Sequence, residues 1–412
     1  YHAACQELRR AVWLAMMESH VLSLADFDTE KHANFFHAHV KSLSKHYAAM
    51  DNNRLTLLYF ALSGLDLLGR LDEVDKGRMI RFIYSLQSPL TDHGGFYGYP
   101  PVKFPTLDMD KCNNQPHIAN TYTALVMLIM LGDSLDGVNR EAVACSLKKW
   151  QLDDGSFCCV QGFTDVDSES DMRFVYCAAA ICYILNLWDA IDVAKMEDFI
   201  LSSRSYDKAF GMGPDCESHG GCTYCAVAAL AMANRLNALP DRKALIDWCT
   251  KRQQRGFQGR IEKAMDTCYS FWVGGSLHLL GAGPCLAKHD CAVFLHMCED
   301  TVHGGFKKFP ESAGPDLLHS YFSVCGLCLC GLLPQMNCLL NMSQRAFHRV
   351  AGTVATGPRR SAGMATAQQL PAFPPEAGQR DTPAEATAGK HTAPPELKNW
   401  QIFFCLAALV AA

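Results

Sequence analysis

The sequence predicts an all-α protein, an α6/α6 barrel of six helical hairpins closed into a ring, and three observations lead there. Five segments repeat around a phenylalanine and a following tyrosine, at spacings of 45 to 61 residues. Amphipathic helical stretches alternate with stretches that are apolar nearly all round. No stretch shows the strict apolar–polar alternation of a half-buried strand.

The repeats read "HGGFYGYP", "DDGSFCCV", "DKAFGMGP", "QRGFQGRI" and "HGGFKKFP", with Phe96, Phe157, Phe210, Phe257 and Phe306 in register. A loop and an apolar helix follow each one, and the matching tyrosines are Tyr122, Tyr176, Tyr224, Tyr269 and Tyr321. Before each phenylalanine lies a more polar helix: "DKGRMIRFIYSLQ", "NREAVACSLKKWQ", "DVAKMEDFILSSR", "DRKALIDWCTKRQQ" and "KHDCAVFLHMCED". Their apolar residues recur at three-to-four spacing, so one face is buried and the other wet. The helices after the phenylalanines, such as "FVYCAAAICYIL" and "CYSFWVGGSLHLL", need burial on every side. "EKHANFFHAHVKSLSKHY" and "LTLLYFALSGLDLL" make a sixth pair near the N-terminus. An open solenoid is the alternative; a closed ring buries the inner helices better, and their Ala, Gly, Cys and Ser allow close packing.

The chain has 412 residues, is 49% hydrophobic and carries a formal net charge of -5. That is enough for one large core or two ordinary ones, and it leaves no basic footprint for nucleic acid. The twenty cysteines lie mostly inside apolar helical runs such as "CGLCLCGLL", where thiols behave as small buried hydrophobes, so the expected compartment is the reducing cytoplasm. No uncharged apolar stretch reaches the roughly 18 to 20 residues that span a bilayer, "IFFCLAALVAA" included. "RRAVWLAMMESHVLSLA" is interrupted by Glu18 and His20 and makes a poor signal peptide.

In every repeat the polar residues lie between the phenylalanine and the inner helix, so the inner-helix N-termini should gather at one end of the barrel. Free N–H groups and a partial positive charge make that end suited to an anion. Asp266 and Cys268 in "MDTCYSFW" fall there, with His319 at the equivalent place in "PDLLHSYF". Asp, Cys and His are competent zinc ligands, and three protein ligands with a fourth position open is the catalytic arrangement. The alternative makes Asp266 an N-cap, Cys268 a core thiol and His319 a packed imidazole. The same rim holds His117, Arg173, His219, Arg260, Lys263 and Lys308. Cations and a histidine beside helix N-termini are what a diphosphate requires, although each alone could be an ordinary loop residue.

With these residues placed, the segments "RLTLLYFALSGLDLL", "IYSLQ", "QLDDGSFC", "DMRFVYCA", "ESHGG", "DTCYSFWVG" and "LHSYF" resemble the β subunits of the protein prenyltransferases, most closely the type I geranylgeranyltransferase β-subunit family. The resemblance runs from about residue 51 to about residue 345 and favours the metal reading. It implies an α6/α6 barrel, a zinc ion on Asp266, Cys268 and His319, and a diphosphate on His219, Arg260, Lys263 and Tyr269. It implies transfer of an isoprenoid from its diphosphate to a C-terminal Cys-a-a-X cysteine, by an enzyme that pairs with an α subunit. Farnesyl and Rab geranylgeranyl transferases carry an acidic residue where this chain has Lys308, so a fixed ammonium is implied in place of Mg²⁺. Thr56 stands where farnesyl enzymes have a bulky aromatic, leaving room for a 20-carbon chain that Phe60, Arg173 and Trp272 would line.

Residues 1–25 match nothing in that family and residues 346–412 depart from it, so the expected organisation is a divergent N-terminal segment, a barrel domain over 26–345, and a tail rich in Ala, Pro, Thr and Gly that is expected to be disordered. Residues 162–171 read as a lengthened surface loop. The competing functions are a non-catalytic barrel unable to pair with an α subunit, or a farnesyl or Rab geranylgeranyl transferase β subunit. Terpene cyclisation would require Asp-rich motifs at the mouth, and none is found.

Overall fold

The computed structural model describes residues 27–100, 115–160 and 169–355. Among them are thirteen α-helices, twelve of which form six hairpins. In each pair an outer helix precedes an inner one: α1 (Thr29–Lys41) and α2 (Arg54–Leu67), α3 (Lys76–Ser85) and α4 (Ile118–Leu131), α5 (Arg140–Trp150) and α6 (Met172–Leu185), α7 (Val193–Ser202) and α8 (Gly220–Met232), α9 (Arg242–Lys251) and α10 (Tyr269–Leu279), α11 (Lys288–Met297) and α12 (Leu317–Cys330). Each inner helix packs on the next, and α12 returns to α2, so the ring is closed. The open solenoid is thereby set aside.

Local chemistry starts the helices. Asp28, Asp75, Asn139, Asp192 and Asp241 cap outer helices by accepting backbone N–H groups of the first turn. His117, Asp171, His219 and Asp316 do the same for inner helices, with the side chain at the barrel mouth. The inner helices are buried almost without interruption; every residue of α8 but Ala231 is buried.

The repeated phenylalanine has a structural cause. Phe96, Phe157, Phe210, Phe257 and Phe306 each bridge back to a residue at or just past the end of the preceding outer helix, at Gln87, Gln151, Arg204, Gln253 and Glu299. The N–H groups of Phe96, Phe210 and Phe306 donate to Thr121, Thr223 and Ser320 on the following inner helices. The residue thus pins the turn from outer to inner layer, with its ring in the core.

The tyrosine repeat needs one correction. Five residues after the caps His117, Asp171, His219 and Asp316 come Tyr122, Tyr176, Tyr224 and Tyr321, but five after Asp266 comes Phe271. Tyr269 lies two residues nearer the mouth and belongs to the rim. Tyr59 of α2 joins the other four, and their hydroxyls meet at the barrel axis: Tyr122 to Tyr176 at 3.0 Å, Tyr176 to Tyr224 at 3.4 Å and Tyr59 to Tyr321 at 3.4 Å.

A hairpin enters this ring from the opposite end. Strands β3 (Met336–Asn337) and β4 (Met342–Ser343) pair antiparallel. The loop between them, residues 338–341, presents four successive carbonyls to the tyrosines. Tyr224 donates to Cys338 O (2.7 Å), Tyr176 to Leu339 O (3.4 Å) and Tyr122 to Leu340 O (3.0 Å), while Tyr59 and Tyr321 donate to Asn341 O (2.9 and 2.8 Å). Helix α13 (Gln344–Ala355) then lies across this blind end. Arg345 pairs with the buried Asp66, and Arg349 donates to the terminal carbonyls Ile129 O and Met130 O of α4. Ala346, Phe347 and Val350 of α13 are buried, so the boundary expected after residue 345 falls inside a packed helix. The rest of the tail from 356, the N-terminal segment to 26 and loop residues 161–168 lie outside the described residues. Among the described residues no helix is long and apolar enough to cross a membrane.

Candidate metal centre and its cationic rim

A short antiparallel ladder, β1 (Phe257–Gln258) on β2 (Met265–Asp266), carries the chain to the mouth. The backbone then turns through Thr267 and Cys268 into α10. This strand-to-helix junction is why residues two apart can face one point: Asp266 Oδ1 accepts the Cys268 N–H at 3.0 Å. His319 arrives from the first turn of the neighbouring inner helix α12. Ligand atoms of Asp266, Cys268 and His319 lie within 4.8 Å of one another, and all three residues are buried. Thr267, between the first two, is braced from behind: its N–H donates to Lys308 O and its hydroxyl to Lys307 O, both at 3.0 Å.

Asp316 orients the imidazole. His319 Nδ1 lies 2.6 Å from Asp316 Oδ2, which turns Nε2 toward Asp266 Oδ1 at 3.4 Å. That Nε2 is buried and has no hydrogen-bond partner. Burial opposes charge on His319, but Asp316 and Asp266 outweigh it and push the imidazole up to about 10. Burial would also raise the Asp266 carboxyl, yet His319 and Lys308 hold it well below the ordinary carboxylate range. Burial, with Asp266 adding, pushes the Cys268 thiol well above its usual value. A buried acid, a thiol and an orphaned ring nitrogen converging on one point fit a divalent cation, which would make the thiol a thiolate and occupy Nε2. The donor set of one carboxylate, one thiol and one imidazole suits zinc in a site with an open position.

The predicted rim residues take the following positions. His219 Nδ1 accepts the Gly221 N–H, so Nε2 carries the ring proton and donates to the Tyr269 hydroxyl at 3.0 Å. The Tyr269 hydroxyl therefore keeps a proton to give. Its ring passes so close to Gly259 that a Cβ there would stand 1.9 Å from Cζ. Arg260 and Lys263 sit in the β1–β2 loop, where Arg260 pairs with Glu217 at 3.1 Å and Lys263 is exposed. Lys308 Nζ reaches Asp266 Oδ2 at 3.3 Å, which sets its ammonium against the trio.

The remaining predicted residues are placed as follows. Trp272 and Phe60 are buried on α10 and α2, each in edge or tilted contact with Phe322. Thr56 is buried, with its hydroxyl donating to Asn120 Oδ1 at 3.1 Å across to α4. Arg173 is buried and paired with Asp171 and Glu169 at 2.6 and 3.2 Å, which places its guanidinium in an acidic clamp beside the mouth. His117 caps α4, and burial with Arg173 nearby lowers it to about 4, leaving it neutral. Sequence reasoning missed Asp316 and Thr267. An Asp three residues before a metal-binding His at a helix start was the available signal for Asp316; nothing local marks Thr267.

Residues 27–342 match the model of the prenyltransferase alpha-alpha toroid domain, and the chain belongs to that family of enzymes. Among curated relatives it is 38% identical over 319 residues to the geranylgeranyl transferase type-1 subunit beta of Arabidopsis thaliana, covering 72% of this chain and 84% of that one. The protein of the same name from Dictyostelium discoideum is 36% identical over 346 residues, covering 77% and 95%. The protein farnesyltransferase subunit beta of Arabidopsis thaliana is 30% identical over 283 residues, covering 68% and 54%. A solved chain of Candida albicans protein geranylgeranyltransferase-I complexed with GGPP shares the fold, with a TM-score of 0.72 at 24% identity over 80% of this chain and 99% of that chain.

Proposed function

We propose that this chain is the catalytic β subunit of a zinc-dependent protein geranylgeranyltransferase of type I, acting in the cytoplasm with a separate α subunit. It transfers a geranylgeranyl group from geranylgeranyl diphosphate to the cysteine of C-terminal Cys-a-a-X motifs, X often Leu, on proteins such as small GTPases. The observation that carries this reading is the convergence of Asp266, Cys268 and His319, whose buried Nε2 no hydrogen bond satisfies, with the Lys308 ammonium beside them. The higher identity to type-1 than to farnesyl β subunits supports the choice within the family.

Zinc, when bound, supplies the charge that keeps a substrate thiol deprotonated at neutral pH. Asp266, Cys268 and His319 would hold it, and Asp316 keeps His319 turned the right way. The substrate sulfur attacks carbon 1 of the lipid; the S–C bond forms, the C–O bond breaks, and its electron pair leaves with diphosphate. Tyr269, held by His219, donates its hydroxyl proton toward that growing charge, and Arg260, Lys263 and Lys308 neutralise it. With Lys308 fixed at the trio, no Mg²⁺ is needed. Thr56, Phe60 and Trp272 form the apolar wall for the lipid, with Arg173 at its edge.

Purified with an α subunit, the protein should hold about one zinc and prenylate peptides ending in Cys-a-a-Leu. Cys268→Ala should lower turnover on the order of 10³-fold while geranylgeranyl diphosphate still binds. Wild-type turnover in that variant sinks the assignment.

A further inference from the structure

We infer that His32, on the outer helix of the first hairpin, is a positioning residue that holds the Lys308 loop, and through it Thr267, in place at the mouth. The functional part of this inference rests on the proposed reaction.

His32 is fully buried, far from the mouth in sequence and with no role in the chemistry described above. Its Nδ1 accepts the N–H of Gly305 at 3.0 Å, so Nε2 carries the proton and donates to Glu299 Oε1 at 2.9 Å. The tautomer follows from the geometry, because a backbone N–H can only donate. The ring is stacked on Phe27 (4.5 Å, 7°) and on Phe306 (4.7 Å, 12°). Beside it, Lys31 Nζ donates to Thr301 O at 2.7 Å. The first hairpin is thus seated on the last loop of the ring at residues 299–306.

Two glycines make that seat possible and also make it depend on an outside anchor. Gly304 and Gly305 have φ of +76° and +81°, and a Cβ on Gly304 would stand 2.4 Å from Lys31 O. Only glycine lets the loop lie against the α1 backbone, and a pair of glycines resists swinging less than any other pair. Asp300 holds the turn through its own N–H to Gly305 O and its carbonyl to Gly304 N, and His32 supplies the side-chain anchor on the Gly305 N–H. From there Phe306, Lys307 and Lys308 follow directly. The Lys307 and Lys308 carbonyls hold Thr267, and the Lys308 ammonium reaches Asp266. A three-residue span covers at most about 10 Å, braced by Lys307 N to Cys298 O, by Phe306 N to Ser320, and by Asp316 N and the Ser320 hydroxyl to Phe306 O. Motion released at Gly305 can reach Lys308 and Thr267 over this short span, damped by the bonds that hold Phe306 and Lys307. A role limited to closing the ring would instead draw on the Glu299 contact and the ring stack.

The test uses the full chain with its α subunit and three substitutions that separate these contacts. His32→Asn keeps an acceptor where Nδ1 sits, His32→Gln keeps a donor where Nε2 sits, and His32→Phe keeps only the stack. We expect His32→Gln and His32→Phe to weaken geranylgeranyl diphosphate binding about tenfold, and His32→Asn to stay within about twofold of wild type. In a Lys308→Ala background the loss of lipid binding caused by His32→Phe should shrink, because the ammonium that His32 helps to place is gone. Hydrogen exchange at the Thr267 amide should quicken in His32→Phe and not in His32→Asn. Equal effects of all three substitutions, or unchanged Thr267 exchange in His32→Phe despite a lower melting temperature, overturn the inference. Should His32→Phe not fold, the Asn and Gln pair makes the same comparison. Absence of lipid binding by the wild type would defeat the proposed reaction, and the exchange measurement would still decide the role of His32.

Discussion

The two ends of the barrel are made from the same inner helices, yet they treat polar groups in opposite ways. At the blind end five tyrosine hydroxyls meet four backbone carbonyls, and arginines of α13 meet an aspartate and two helix-terminal carbonyls. At the mouth a buried imidazole nitrogen has no hydrogen-bond partner, and an acid, a thiol and an imidazole converge on one point. Satisfied polar groups fix a shape, whereas an unmet one costs free energy that only a ligand can recover. Asp66 Oδ2 at the blind end also lacks a hydrogen-bond partner, so the mouth is marked as the reactive end by the grouping of Asp266, Cys268 and His319.

Substitutions at the two ends should therefore fail in different currencies. The largest expected effect is at the mouth: Asp316→Asn should weaken zinc retention about 10- to 100-fold, read by competition with a chelator, with little change in thermal stability. An unchanged metal affinity would mean that the 2.6 Å contact to His319 is incidental. At the blind end the order reverses. Tyr224→Phe leaves Cys338 O without its donor and should cost about 1 kcal/mol in denaturant unfolding, with zinc content unaltered. Loss of metal in that variant would break the proposed separation of the ends.

The smallest effect tests an exception, since Glu299 is charged, lies on the mouth side and is nevertheless well met. Burial would raise its carboxyl, but His296 and His32 lower it to about 2. An ordinary glutamate titrates near 4.3. Its folded value is depressed, so the stability it contributes is present above the unfolded value and lost as pH falls toward 2. The stability difference between wild type and Glu299→Gln should accordingly shrink between about pH 5 and pH 2. A constant difference across that window would show that the histidines do not hold the carboxylate.

How much of this could be read from residues alone depended on where each signal resides. The phenylalanine repeat was legible because one large apolar side chain is needed at each turn. Asp266, Cys268 and His319 were legible because that repeat set a register in which unlike polar residues fell at one level. The register slipped at Tyr269, where Phe271 fills the ring position and a tyrosine two residues earlier imitates it. The plug at 338–341 was not legible at all, since the tyrosines recognise its backbone carbonyls, which every sequence possesses. Helix α13 was obscured for another reason: its buried Ala346, Phe347 and Val350 form a short stripe directly before a stretch rich in Ala, Pro and Thr. Thr267 and His32 act on partners 40 and more than 260 residues away, a distance over which no local pattern reports.

The plug also sets an order of assembly. Tyrosines from position 59 onward emerge from the ribosome well before the carbonyls at 338–341 that they are shaped to receive, so until then their hydroxyls have only one another and water as partners. Completion of the lumen is deferred until nearly the whole barrel sequence has been translated, and a chain cut short before that hairpin would hold most of the helices without the peg that locks them together.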